Sequence, residues 1–367
     1  MRGDRLPSLL VVGPLPPPPS GATVSFQIFC DEAGHHTGLQ RVEVIDTSPK
    51  QIKKQVQITS TANVAAAWRI FWQFCGRVKT VDQVLIFGSN GFLLSMVPLL
   101  VVVAKITRKP CHVRVFGGSL DCFCDDLMPL LRRLLLLTLR HTDGLIVQTE
   151  LLYNRFSALI GDSVHLVPGY RCMAAMENDL SLPVRRPGED LHLVFLGHIR
   201  EAKGIFVLLE SLRSLGPREK EAIHCDFFGP VYGSVAARFE DELAKTKNAT
   251  YGGVLRPEQV VPMLRNYDAL VFPTYYQGEG HPGVLIEAMM AGIPVITTVF
   301  RSIPELVEDR VNGLLVAPQD PKSLTEAINT IYYNRQLLTE MSKRNWELRS
   351  RYDARHVVPL IFGAIGV

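Results

Sequence analysis

At 367 residues and 40.9 kDa the chain is long enough for about two domains of roughly 150 residues each. Its 47% hydrophobic and 20% charged residues exclude the disordered, collagen-like and small disulfide-scaffold classes. A net charge of +3 is too near neutral to point to nucleic acid, yet it is unevenly spread: residues 1–170 hold 17 basic and 12 acidic side chains, and the remainder 22 and 24.

Seven cysteines, an odd number without paired metal spacing, read as reduced thiols of a cytoplasmic protein. Cys122 and Cys124 have no second Cys/His pair at a suitable offset, so no metal site is expected. Met1 to Val12 lacks the pattern of a secretory signal. The apolar stretch Phe92 to Ala104 is interrupted by Ser95 and Pro98, and Leu127 to Leu139 by Pro129 and the Arg132-Arg133 pair; neither is long enough to cross a bilayer.

Short runs rich in Val, Ile, Leu and Phe alternate with helix-length segments, the pattern of a parallel α/β architecture. The predicted strands of the first half are Ser8–Gly13, Arg41–Ile45, Gln83–Phe87, Cys111–Phe116, Gly144–Val147 and Val164–Val167. Loop signals follow most of them, at the carboxyl ends where open α/β sheets bind ligands. One such loop, Gly13 to Ala22, contains four consecutive prolines that favour a stiff extended turn, and Gly21 is its residue expected to approach a ligand. Leu127 to Arg140 sets Arg132, Arg133 and Arg140 among eight leucines, which suits either an amphipathic helix on anionic lipid or buried packing with snorkelling arginines.

The polar, proline-bearing segment Ser181 to Asp190 marks the expected domain boundary. Beyond it the pattern restarts, with strands at Leu191–Leu196, Ile223–Phe228, Ala269–Phe272, Pro294–Thr297 and Gly313–Val316, then helices over Pro321–Tyr333 and Gln336–Arg349. The apolar stretch Tyr352 to Val367 needs a surface to cover. The organisation expected is an N-terminal domain over 1–180, with 351–367 docking back onto it, and a C-terminal domain over 189–350.

Two windows carry chemistry. Phe195 to Gly204 ends a strand at Gly197 and opens the next helix at Lys203-Gly204, so His198, Arg200 and Lys203 fall at the carboxyl edge of the sheet, where basic groups neutralise a diphosphate. Phe272 to Met289 reads as strand, Gly-spaced loop and helix, with Pro282 expected in the first helical turn. The backbone donors of Gly280 and Gly283 then face the positive end of a helix dipole, a phosphate-binding arrangement. Glu279 before the helix and Glu287 inside it lie too far apart for a shared proton but suit hydroxyls at opposite ends of a nucleotide sugar. An inverting glycosidase pair has similar separation, yet needs no phosphate cradle.

Together these windows resemble the retaining glycosyltransferases of family four. The E-x7-E signature is present as Glu279 and Glu287, followed by Glu287-Ala288-Met289, Ala291-Gly292-Ile293-Pro294-Val295-Ile296, Pro304-Glu305-Leu306-Val307 and Asn312-Gly313-Leu314-Leu315-Val316. The resemblance implies a GT-B fold, two Rossmann-like domains facing each other across a cleft, the first binding acceptor and the second the nucleotide-sugar donor. It implies a catalytic set of Glu279, Lys203 and Arg200, and donor contacts from Glu287, the loop Gly280-His281-Pro282-Gly283-Val284, His198 and Gly21. Glu287 would hold the ribose, Glu279 a sugar hydroxyl and Lys203 the diphosphate.

The chain departs from the family pattern at three places. His198 stands where an Arg is usual, Phe116-Gly117-Gly118 where many relatives have a His, and Val167-Pro168-Gly169-Tyr170 lacks the usual Asn-Gly pair. The implied activity is metal- and cofactor-independent transfer of a sugar, with retention, from a nucleotide-diphosphate sugar such as a UDP-sugar to a glycan or lipid-linked sugar in bacterial polysaccharide biosynthesis. The implied place is the cytoplasm, peripheral on the inner face of an anionic membrane, without nucleic acid as partner. The alternatives are a catalytically silent member acting as an assembly partner, or a nucleotide-sugar hydrolase or epimerase.

Overall fold

The computed structural model describes residues 6–48, 61–173 and 190–367. They separate into two compact units, the chain up to Tyr170 together with Ala354–Val367, and Arg171–Asp353. The division falls between Tyr170 and Arg171; residues 181–189 of the proline-bearing segment lie outside the described residues.

In the first unit the chain runs β1 (Ser8–Gly13), α1 (Gly21–Gly34), β2 (Arg41–Asp46), α2 (Thr61–Arg77), β3 (Gln83–Gly88), α3 (Asn90–Ser95), α4 (Val97–Ile106), β4 (Cys111–Val115), α5 (Leu120–Asp126), α6 (Pro129–Arg140), β5 (Gly144–Val147), α7 (Glu150–Ile160) and β6 (Val164–Leu166). The strands form one parallel sheet of order β2-β1-β3-β4-β5-β6. Leu10, Val12, Val84 and Ile86 pack on one face, under α2, α4 and α6. Leu9, Val11, Leu85 and Phe87 pack on the other. Coverage on both faces is why these strands read as unbroken apolar runs rather than as an alternation.

The second unit runs β7 (Leu191–Leu196), α8 (Ile205–Arg213), α9 (Pro217–Ala222), β8 (Ile223–Phe228), α10 (Ala236–Ala244), β9 (Ala249–Gly253), α11 (Pro257–Leu264), β10 (Ala269–Phe272), α12 (Gly283–Ala291), β11 (Val295–Thr298), β12 (Gly313–Val316), α13 (Pro321–Tyr333) and α14 (Arg335–Leu348). Its parallel sheet has the order β12-β11-β10-β7-β8-β9. Sequence reading missed β9, an edge strand whose Thr250, Tyr251 and Gly252 are exposed and leave no apolar run.

The chain lays β8 and β9 to one side of β7, then returns to lay β10 on the other. That reversal is a topological switch point, and the loops leaving β7 and β10 start side by side from it. Beyond α14, α15 (Ala354–Ile365) belongs to the first unit. Its Val358, Ile361 and Phe362 are buried with Phe26 and Phe29 of α1, and the Phe29 and Phe362 ring centroids are 5.7 Å apart.

Candidate functional site

The two loops at the switch point are bound together by backbone. The N–H of Tyr275, beyond β10, donates to the carbonyl of Ala202, beyond β7, at 2.9 Å. Gly204 makes the approach possible. Its φ is +77°, and a Cβ there would lie 2.0 Å from the carbonyl oxygen of Pro273. The loop after β10 is itself braced, because Thr274 Oγ1 accepts from the N–H of Tyr276 at 3.2 Å and the N–H of Glu279 donates to the carbonyl of Tyr276 at 3.0 Å.

This framework brings Lys203 onto Glu279. Lys203 Nζ donates to Glu279 Oε1, which also accepts from the Thr274 hydroxyl at 2.8 Å. Glu279 is only 5% exposed. The ammonium also lies 5.1 Å from the ring centroid of Phe272 and 5.0 Å from that of Tyr276. Arg200 stacks over Tyr276 at 4.5 Å and faces Tyr232 at 5.4 Å. Nδ1 of His198 is 3.3 Å from the Tyr232 hydroxyl. Burial, reinforced by Lys203 and Arg200, holds the His198 pKa below the ordinary imidazole value. A cavity of about 530 Å³ opens beside Arg200, lined also by Ala202, Tyr232, Ser234 and Tyr275.

The helix that follows, α12, starts one residue later than expected. Pro282 is its N-cap, with ψ 123°, rather than a member of the first turn, and its carbonyl accepts the N–H of Leu285 at 3.0 Å. Gly283 opens the helix, and Val284 follows, half-buried against the core of the unit. The neighbouring loop residues are anchored elsewhere: the Gly280 carbonyl accepts from the Ser302 hydroxyl at 2.9 Å, and His281 Nε2 lies 3.1 Å from Glu305 Oε2.

Arg171 occupies this helix end. Its guanidinium lies against Gly283, where a Cβ would come within 1.6 Å of Nη2, and its Nε donates to Glu287 Oε1 at 2.8 Å. The backbone of Arg171 is fixed by its N–H donating to the Tyr352 carbonyl at 3.0 Å. Burial raises the pKa of Glu287, and Arg171 opposes the rise. Nothing in the sequence ties Arg171 to a glutamate 116 positions away, and sequence reasoning missed it. In both Glu279 and Glu287 the partners use Oε1, and Oε2 accepts no hydrogen bond from the described residues.

Gly21 belongs to the first unit. It opens α1, whose N-cap Ser20 forms a capping box with Thr23, and its carbonyl accepts the Ser25 hydroxyl at 2.8 Å. Cys122 and Cys124 join no metal-binding cluster; none occurs among the described residues.

Two doubly wound parallel sheets, one with a cationic loop and a helix end converging at its switch point, define a protein of the GT-B fold. The fold matches solved structures over nearly the whole chain. HepE (Alr3699) of Anabaena, solved in complex with UDP, superposes with a TM-score of 0.72 at 14% identity over 98% of this chain and 99% of its own. The apo lipopolysaccharide outer core galactosyltransferase WaaB gives 0.71 at 13% identity over 98% and 99%.

Residues 180–347 match the model of the group 1 glycosyl transferases. WcaL of Escherichia coli (strain K12), provisionally named a colanic acid biosynthesis glycosyltransferase, is 29% identical over 40% of this chain and 37% of its own length. The O-antigen chain mannosyltransferase C of Escherichia coli is 24% identical over 46% and 44%. The chain thus spans about two-fifths of the length of the curated relatives it matches.

Proposed function

We propose that the chain is a retaining glycosyltransferase that moves a sugar from a nucleotide-diphosphate donor, with UDP as the favoured nucleotide, to a glycan or lipid-linked sugar acceptor of a bacterial surface polysaccharide, in the cytoplasm. The observation that carries the reading is the pair of carboxylates flanking the start of α12. Each has one oxygen anchored by a cation and the other without a hydrogen-bond partner among the described residues. The anchored oxygen fixes the carboxylate, and Oε2 is left for a hydroxyl: a sugar hydroxyl at Glu279 and the ribose at Glu287. The UDP in HepE and the polysaccharide names of the relatives support the donor and acceptor classes.

Lys203, Arg200 and the first N–H groups of α12 would meet the charge of the diphosphate, which is the support for a reaction that needs no metal. Within the ion pair formed as the anomeric C–O bond to diphosphate breaks, the acceptor hydroxyl attacks the same face, forms the new C–O bond and passes its proton to the departing diphosphate. The second unit would hold the donor and the first the acceptor, with Gly21 near the sugar.

Two observations favour the catalytically silent reading: both glutamates are already matched by cations of this chain, and His198 replaces the family's usual arginine. A thermal-shift series against UDP, GDP, ADP and their sugar conjugates, with and without EDTA, separates the two. Ligand binding to the native state raises the midpoint, by an amount equivalent to about 2.7 kcal/mol at a hundredfold excess over Kd. A nucleotide-selective shift that survives EDTA and is lost in Glu287→Ala supports the transferase. A cooperative melt that no nucleotide moves refutes it in favour of the silent partner.

A further inference from the structure

Three helices of the first unit are apolar on the side away from the core as well as on the side facing it. α4 packs against both α2 and α6, and all three bury residues in one core: Phe74 of α2, Leu100 of α4 and Leu135 of α6. A helix covering a sheet ordinarily turns a polar face outward. Here the outer faces carry Trp68 (63% exposed) and Trp72 on α2, Leu99 and Ile106 (75%) on α4, and Leu130 (77%) and Leu137 on α6. The four- and seven-residue spacings make each pair a stripe on its helix. No helix among the described residues is long and apolar enough to cross a membrane.

Charge identifies what covers this face. Together α2, α4 and α6 contain six basic side chains and no Asp or Glu. The nearby acids Glu43, Asp125 and Asp143 lie outside these three helices and pair with Arg77, Arg132 and Lys105. On α6 the three arginines Arg132, Arg133 and Arg140 line a shallow cavity of about 360 Å³ with Pro129, Leu136 and Leu137. A second copy of the chain meeting this face through a two-fold axis would set cation against cation. A nucleic acid would leave the aliphatic stripes on α4 and α6 unmatched.

We propose that the α2–α4–α6 face docks in the plane of an anionic phospholipid leaflet. The indoles of Trp68 and Trp72 enter at headgroup depth, the aliphatic stripes at the acyl boundary, and the arginines of α6 hold lipid phosphates while their stems lie along the leucines. The proposal concerns the first unit and stands apart from donor binding in the second, so the failure of one leaves the other intact.

The test is flotation of the purified full chain with vesicles of phosphatidylcholine alone or with 30% (about one lipid in three) phosphatidylglycerol, at low and high salt, with indole fluorescence as a second readout. Anionic vesicles should bind the chain and blue-shift its emission, neutral ones about tenfold less, and high salt should release much of it. Trp68→Ser/Trp72→Ser and Arg132→Gln/Arg133→Gln should each weaken binding about tenfold or more with unchanged melting, since the four side chains are exposed or half-exposed and Asp125 keeps its pair with Arg155. Absence of binding to anionic vesicles at low salt, or equal binding by both double variants, overturns the proposal. So does a dimer of the native chain that either double variant turns into monomers, because the face is then a self-contact.

Discussion

Arg171→Met separates the electrostatic role of the Arg171–Glu287 contact from simple packing. The pair is 2.8 Å apart, and its side chains are 10% and 17% exposed. Removing one member of such a buried pair typically costs about 3–5 kcal/mol, and the partial exposure of Glu287 argues for about 3. The cost should depend on pH with a definite sign. Burial already raises the folded-state pKa of Glu287, and losing Arg171 removes the term that opposes the rise. A carboxyl raised above its unfolded value of about 4.3 destabilises the fold fully above the folded pKa, and the penalty fades as pH falls through that value.

Urea unfolding at pH 8 and pH 5, followed through Trp346 in a Trp68→Phe/Trp72→Phe background, reads the second unit alone, because these are the three tryptophans of the chain. The expected loss is about 3 kcal/mol at pH 8 and clearly smaller at pH 5, and Arg171→Met/Glu287→Gln should recover most of it at pH 8. An equal loss at both pH values, or no recovery in the double variant, would show that Arg171 acts by packing alone and refute the electrostatic account.

Gly204→Ala should lower the stability of the second unit by about 3 kcal/mol, since the new Cβ meets the fixed backbone carbonyl of Pro273 at a φ of +77°. A melting temperature within a degree of the native one would contradict this. Phe362→Ala empties a site 2% exposed between α15 and α1, and should destabilise the first unit by about 3–5 kcal/mol as reported by Trp68 and Trp72. An unaltered first-unit transition, with only Trp346 affected, would show that α15 is wrongly attributed to that unit.

Most strands were legible because two covered faces demand continuous apolar sequence, as in Leu9 to Val12. The same logic hid β9, whose edge position leaves Thr250 to Gly252 in solvent. At the candidate site the glycine-spaced loop and the glutamates could be read as a helix start, and the basic loop after β7 as facing the same carboxyl-end crevice. One thing could not. Arg171 depends on a contact across 116 residues, and its role emerges only when Gly283 is seen beneath its guanidinium. The outward stripe of α2 was equally illegible, because i,i+4 periodicity is the same whether a face meets core or solvent.

Arg171 and Asp353, where the chain passes into and out of the second unit, are neighbours in a short parallel bridge. Residues 171–353 therefore hang from the first unit as a loop with adjacent ends, and the first unit is discontinuous in sequence. During synthesis its sheet emerges first, yet the face bearing Phe29 stays uncovered until residues 354–365 follow about 180 residues later. The second unit, contiguous in sequence, can complete its core while the first still waits. A nascent chain is thus briefly a finished second unit tethered to an open first one, and its demand for chaperones falls on the half that was made earliest.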